Sequence, residues 1–256
     1  MVGPAGIPES VAAIDWSGAK ESGAQRRSIC TAVAERDGIE ATGGRTREEA
    51  IELVESLPAP VVVGIDMSFG VPMWFASDHE CSTIAEVWDA AERDGEHWLE
   101  PAAPFWKERR TVPAERRFRA CEARLHHAGF APKSIFQLVG NGQVGAGSVR
   151  GMPFLTRLRA AGFAIWPFDP PGERTVLEIY PSMLRSMIPH DELEFDNEHE
   201  RDAVLSAAVM WAYRESFADL EAADDPVTKL EGDVWMPPGV LVLDDAAPTF
   251  GPPARV

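Results

Sequence analysis

The hydrophobic positions in the first part of the chain form three short, separate runs. The first run, VAAID, predicts a buried strand from about Val11 to Trp16. Two more strands are predicted over Arg27 to Ala34 and over Gly38 to Gly43, and the intervening segments SGAKESGAQ and ERDG are typical of turns. We therefore expect the first three strands to form an antiparallel meander.

A helix and a fourth strand follow the meander. Thr46 is a predicted N-cap, Glu49 completes a capping box three residues later, and Pro58 ends the helix. The next run, APVVVGID, is rich in β-branched residues and lacks polar alternation. This pattern indicates a strand that is buried on both faces and ends at Asp66.

A long segment with no clear strand separates this part from the next one. Residues 72–172 carry five of the eight tryptophans and predict a large, mainly helical insertion. A further strand is predicted from about Thr175 to Pro181, and a helix from about Glu198 to Phe217. The proline-rich tail, 232–256, is predicted to be irregular. The order favours a single α/β domain over 1–256, with a mixed sheet covered by helices.

Composition and charge narrow the possible classes of protein. The net charge of −17 argues against a broad affinity for nucleic acid, which depends on the neutralisation of phosphates. No secretory signal is visible, and no stretch approaches the roughly 20 apolar residues of a membrane span. Cys30, Cys81 and Cys121 are far apart and match no metal-ligand spacing. These features favour a cytoplasmic protein without a membrane partner.

One segment of the chain has the opposite charge. Residues 107–133 contain eight basic and three acidic side chains, a net charge of +5. The segment is either a solvated helix face or a surface that faces phosphate groups. The first candidates for binding a nucleic-acid backbone are Arg109, Arg110, Arg116 and Arg117.

The most informative polar residues lie at strand ends and on the last long helix. Asp15 and Asp66 each end a predicted buried strand, and His199 and Asp202 are three residues apart on one helix face. Each carboxylate could instead serve as a helix cap or a turn residue. Together, three carboxylates and an imidazole suggest a metal-dependent phosphodiester chemistry.

Several blocks of the chain carry a resemblance to a known group of proteins. They are AIDWSG, GIDMSFGVP, FQLVGNGQVGAGSVRGMP, LEIYPS and EGDVWMP, in that order. The chain resembles the ribonuclease H-like superfamily, specifically a bacterial family of predicted ribonuclease H-like nucleases. The run HERDA is similar to the end of RuvC-type nuclease sites.

The resemblance implies a fold, an activity and a set of ligands. The fold would be a ribonuclease H-like mixed five-stranded sheet flanked by helices, and the activity divalent-metal-dependent hydrolysis of nucleic-acid phosphodiesters. Asp15 would bridge two Mg²⁺ or Mn²⁺ ions, while Asp66 and Asp202 would each hold one. His199 would complete or orient the second site. Glu178, in the LEIYPS block, would be an alternative catalytic ligand or support the ligands.

Other functions stay open at this point. GNGQVG satisfies the G-x-G-x-x-G pattern of dinucleotide-binding loops, and Asp169 stands where a ribose-binding acid would. A loop that contacts substrate phosphate is the preferred interpretation, with Asn141 and Gln143 as candidate substrate-binding residues. A noncatalytic scaffold that binds nucleic acid or protein, and an ATP-dependent enzyme, are the alternatives. The sequence does not distinguish DNA from RNA or give the oligomeric state.

Overall fold

A mixed β-sheet forms the centre of the fold. The computed structural model describes residues 6–100, 103–107, 112–113, 116–139, 144–189 and 193–240. The strands in these ranges are β1 (Ser10–Asp15), β2 (Cys30–Glu35), β3 (Gly38–Gly43), β4 (Val61–Ile65), β5 (Ala164–Ile165) and β6 (Arg174–Glu178). Their order in the sheet is β3-β2-β1-β4-β6-β5.

The pairing of the strands confirms the predicted α/β class and the predicted meander. β1, β2 and β3 are antiparallel, whereas β1 with β4, β4 with β6, and β6 with β5 are parallel. The sheet has six strands rather than the five that were predicted. The additional strand, β5, has two residues and belongs to the predicted insertion, where so short a run gives no periodic signal.

Helices cover the sheet and make up most of the insertion. In the described ranges they are α1 (Ser22–Ser28), α2 (Arg47–Ser56), α3 (Met73–Asp78), α4 (Ile84–Trp98), α5 (Ala120–His127), α6 (Val144–Ala160), α7 (Pro181–Leu184), α8 (Glu198–Ala212) and α9 (Thr228–Glu231). The capping box predicted for α2, between Thr46 and Glu49, is present. No helix in these ranges is long and apolar enough to span a membrane.

Three predicted element boundaries were wrong. The segment before β2 contains α1 instead of a turn, because this polar, seven-residue helix buries one side chain and so lacks an apolar repeat. The sixth strand ends at Glu178 because Pro181 begins α7. The last long helix ends at Ala212, and a 3₁₀ helix over Arg214–Asp219 follows it.

The alternation of side chains along β1 and β4 creates two cores. Ala12 and Ile14 of β1 pack, with Val63 of β4, into the core beneath α2, α4 and α6. Val11 and Ala13 belong to the core beneath α8. α8 packs against β1, β2 and β3 on that side. Successive side chains of a strand point to opposite faces. Alternate residues of a strand therefore contact the helices on opposite sides of the sheet.

Helix α6 approaches the loop after β1 closely because glycines line the contact. A Cβ atom added at Gly18 would lie 2.4 Å from the backbone N of Gly147 and 2.6 Å from the carbonyl carbon of Ala146. The indole Nε1 of Trp16 donates to the Gly147 carbonyl at 3.1 Å. Glycine disfavours a helix interior, but α6 runs through Gly147 and Gly151 because they provide room for packing.

We predict that Gly18→Ala destabilises the fold, because its methyl group would overlap the α6 backbone rather than a movable side chain. The expected loss in the free energy of unfolding is about 2 kcal/mol. Urea denaturation measures it. Gly23→Ala is the matched control, since its nearest neighbour would be the Arg27 Nη1 atom at 3.7 Å; an equal loss in both variants would contradict the packing argument.

Candidate active site

Two carboxyl groups meet at the end of the adjacent parallel strands β1 and β4. Ile14 pairs with Ile65, and the Asp66 N–H donates to the Ile14 carbonyl at 3.0 Å. By strand alternation Asp15 and Asp66 both belong to the face that α8 covers. The two carboxyl groups therefore lie on the same face and at the same edge of the sheet.

Burial and mutual repulsion make both carboxyl groups reluctant to ionise. Burial raises the pKa of Asp15, and the negative charges of Asp202 and Glu198 add to this effect. The pKa of Asp66 lies well above its usual range because of burial first, then the charges of Asp15, Asp202 and Glu178. When both carboxyl groups are ionised, their negative charges repel each other, and a cation would neutralise this charge.

His199 holds the first of these carboxyl groups from the start of α8. Asn197 caps the helix through hydrogen bonds from the His199 and Glu200 N–H groups to its Oδ1, at 2.9 and 3.0 Å. The cap places the His199 Nδ1 atom 2.6 Å from Asp15 Oδ2. This hydrogen bond raises the pKa of His199 above its ordinary value. Helix α8 thus places an imidazole beside Asp15 and fixes the orientation of its carboxyl group.

Asp202 lies near the pair but is bound by arginines. The Arg185 Nη1 atom donates to its Oδ1 at 2.8 Å and to its Oδ2 at 2.9 Å. Arg201 Nε donates to Oδ1 at 3.2 Å. Burial raises the pKa of Asp15 and Asp66, and the charge of Asp202 adds to this effect. The structure brings His199 into contact with Asp15, whereas Asp202 acts on the two strand-end carboxyl groups through its charge.

Glu178 belongs to the opposite face of the sheet. It pairs with Ile65 of β4. Ile65 and Asp66 are consecutive residues, so their side chains point to opposite faces. Both of its carboxylate oxygens bind Arg119, and Oε2 also accepts from the Phe69 N–H at 2.9 Å. Its negative charge nevertheless adds to the effect of burial, which raises the pKa of Asp66. A ligand role for Glu178 stays a prediction, with its oxygens already bound.

Arg119 connects the insertion to the sheet and to the C-terminal region. Its guanidinium group is 0% exposed and also binds Glu122 and the Glu231 carbonyl, each at 2.9 Å. The Glu231 carboxylate accepts from the N–H groups of Met73 and Ala120, both at 2.6 Å. These bonds join α3, α5, β6 and α9 behind the carboxyl pair. Sequence reasoning assigned Arg119 to a solvent-facing basic segment and missed this network.

The described arginines predicted to grip nucleic acid have partners within the protein. Arg116 stacks over the Trp74 ring at 4.1 Å from its centroid, and Arg117 Nε donates to the Val112 carbonyl at 2.9 Å. Arg109 and Arg110 lie outside the described residues. These partners hold the side chains of Arg116 and Arg117 at the insertion. Contact of the two arginines with a substrate stays a prediction.

The glycine-rich motif ends at the candidate site. Asn141 and Gln143 lie outside the described residues, but Val144 begins α6 and lines a small cavity together with Asp66, Glu178 and Tyr180. The segment before the motif, 134–139, makes an isolated bridge to Trp106 rather than a strand. The carboxylate of Asp169, the candidate ribose ligand, binds Arg159 Nε and the Ile165 N–H. These contacts disfavour a dinucleotide fingerprint, which needs a preceding strand.

The donors at the carboxyl pair are of the kind that a hard divalent cation prefers, although the structure does not bring all of them together. Among the described residues, no group of three or more His, Cys, Asp or Glu side chains is spaced to hold a metal ion together. Asp15 and Asp66 would provide carboxylate oxygens from adjacent strands. Asp202 would join them after separation from Arg185.

Comparison of the chain with protein-family models, with curated proteins and with solved structures finds no match in any of the three.

We predict that Arg119→Met lowers the free energy of unfolding by about 3–5 kcal/mol, because it leaves Glu122 and Glu178 buried without a counter-charge. Chemical denaturation at pH 7 measures the loss. Arg26→Met removes an exposed ion pair with Glu49 and is the control, with little expected change. Equal stabilities of the two variants would show that the buried network is not a stabilising junction.

We also predict that Asp66→Asn stabilises the protein at neutral pH. Because the folded-state pKa of Asp66 is raised, its protonated form favours the fold, and this contribution is lost as pH rises through that pKa. Asparagine avoids the unfavourable charge, so the gain should grow as pH rises through the raised pKa and vanish below the ordinary pKa of an aspartic acid. Thermal melts across this range test the prediction; a gain that is independent of pH would contradict it.

Proposed function

We propose that the protein is a divalent-metal-dependent phosphodiesterase of ribonuclease H-like fold that acts on nucleic acid. The observation that carries the proposal is the pair of carboxyl groups of Asp15 and Asp66 at the ends of adjacent parallel strands, where burial raises the pKa of both groups. A buried acidic pair is a poor place for an anionic substrate alone. It becomes a suitable one when a divalent cation neutralises it.

The strand order supports the fold proposed for the chain. An antiparallel meander, β1 to β3, is followed through helical crossovers by the parallel strands β4 and β6. This arrangement matches the order of elements on which the ribonuclease H-like resemblance rests, with β5 as an additional edge strand. The carboxyl ends of the parallel strands, where ligands bind in open α/β sheets, carry Asp15 and Asp66.

Each residue at the site has a distinct part in the proposed chemistry. Asp15, Asp66 and Asp202 would hold Mg²⁺ or Mn²⁺, and two ions would supply an activated water and stabilise the leaving oxygen. His199 orients Asp15 through Nδ1 and balances its charge. The acidic groups must be ionised to bind a cation, so affinity should fall as pH falls through their raised pKa values.

The proposed substrate is DNA or RNA. The basic candidates Arg109, Arg110, Arg116 and Arg117 and the loop residues Asn141 and Gln143 would contribute to its binding. The strongly acidic chain, with a net charge of −17, favours a narrow range of substrates over any duplex. Assays with single-stranded DNA, duplex DNA, branched DNA and RNA would define that range.

We predict that Mn²⁺ binds the wild-type protein and that Asp15→Asn weakens this binding by at least about tenfold, because a ligand is lost. Calorimetric titration at several pH values measures it, and wild-type affinity should increase with pH. Hydrolysis of the labelled nucleic acids in Mg²⁺ or Mn²⁺ should be lost in the same variant. Asp89→Asn, which removes an exposed carboxylate on α4, is the matched control.

Two results would overturn the proposal. Equal Mn²⁺ affinity in wild type and Asp15→Asn would place any bound metal elsewhere. Nucleic-acid binding without metal binding or cleavage would identify a noncatalytic scaffold.

A further inference from the structure

The guanidinium group of Arg185 uses a small part of its hydrogen-bonding capacity. It lies on the 3₁₀ helix Arg185–Met187, which follows β6 and α7, and donates through Nη1 alone to both oxygens of Asp202. Among the described residues, Nε and Nη2 of Arg185 have no protein partner. The side chain is 33% exposed. A guanidinium has five N–H donors in a planar fork, so Arg185 keeps donors on Nε and Nη2 that no described residue uses.

This arginine lies at the acidic site rather than at a remote surface. Asp202, its partner, influences the pKa of both Asp15 and Asp66. The loop that carries Arg185 leaves the sheet at the same edge, after the parallel strand β6. A phosphodiester that approaches this edge meets three carboxylates, and a positive charge within the site must hold it there.

The other described arginines near this edge are less suitable for that task. Arg116, Arg117 and Arg119 are bound to an indole ring, a main-chain carbonyl and buried carboxylates. Arg201 contacts Asp202 through Nε, but it lines a groove with Glu194 and Glu198, whose charges repel phosphate. Arg185 combines proximity to the carboxyl pair with unused donors.

We propose that Arg185 binds the phosphate group of the substrate, and that Asp202 holds its guanidinium group in position through Nη1. The inference deepens the proposed function and rests on it, because a cation at Asp202 would release Arg185 toward the substrate. A planar guanidinium can bind two phosphate oxygens at once. Sequence analysis had not selected Arg185.

The inference requires two effects of opposite sign from one substitution. Arg185 competes with a cation for Asp202, so Arg185→Gln should bind Mn²⁺ more tightly. The same variant lacks the phosphate contact and should bind nucleic acid more weakly, by about tenfold or more. A residue with a merely structural role would weaken both. Asp202 keeps its contact with Arg201 in this variant, so no carboxylate is left unpaired.

The first experiment measures both effects on the full chain. Calorimetry gives the Mn²⁺ affinity, and fluorescence anisotropy gives the affinity for a labelled single-stranded DNA oligonucleotide and a labelled RNA in Ca²⁺. Arg185→Lys, which keeps the charge but lacks the planar fork, should lie between wild type and Arg185→Gln. Arg157→Gln is the matched control, because it removes one arginine from surface partners Glu48 and Glu55 near the far end of α6.

A second experiment tests the inference without any metal. In EDTA, Asp202→Asn should strengthen binding of the same oligonucleotides, because Arg185 loses its counter-ion. The gain should disappear when Arg185→Gln is combined with it, as a double-mutant cycle reveals. A gain that persists in the combined variant reflects the general loss of negative charge and overturns the inference.

The two proposals fail in different ways. Wild-type binding of Mn²⁺ and cleavage of nucleic acid, with both affinities unchanged in Arg185→Gln, would overturn the role of Arg185 and leave the proposed function intact. Absence of Mn²⁺ binding in the wild-type protein would overturn the proposed function. The inference would fall with it, even if the metal-free cycle showed an interaction between Arg185 and Asp202.

Discussion

The parallel pairing of β1 with β4 brings together the two carboxyl groups on which the candidate site depends. The register of Ile14 with Ile65, extended by the bond from the Asp66 N–H to the Ile14 carbonyl, leaves no freedom to separate the strand ends. The two carboxyl groups are therefore close together, although the ionised form of each would be more stable in water and away from the other. Such an arrangement is electrostatically unfavourable, and it is common for functional sites to be less stable than their surroundings.

Support for this unfavourable pair comes from both faces of the sheet. Helix α8 presents His199 to Asp15 and buries an apolar face against β1, β2 and β3. On the other face, Arg119 joins Glu178 of β6 to the insertion and to the Glu231 carbonyl. The insertion is thus more than a cover for apolar surface. It fixes the end of β6, from which the chain continues to Arg185.

Individual residues explain why the sequence predicted some of this and not the rest. Asp15 and Asp66 were identifiable because each follows a continuous apolar run, and the fold order places two such strands side by side. Glu178 also ends an apolar strand, but its side chain points to the opposite face of the sheet. A strand that is longer or shorter by one residue places its last side chain on the other face. Arg119 and Arg185 carried no local signal. An arginine in a polar stretch looks the same in sequence whether it is buried against carboxylates or exposed to solvent.

The sequence by itself determined the α/β class, the meander, the capping box of α2 and the positions of Asp15, Asp66, His199 and Asp202 at element ends. These depend on local periodicity and on cap chemistry, which act over a few residues. Tertiary structure alone decided the additional strand β5, the continuity of α6 through its glycines, and the partners of Arg119, Asp202 and Glu178. The physical reason is that close packing and ion pairing join residues that are far apart in the chain, such as Gly18 with Gly147 and Arg119 with Glu178.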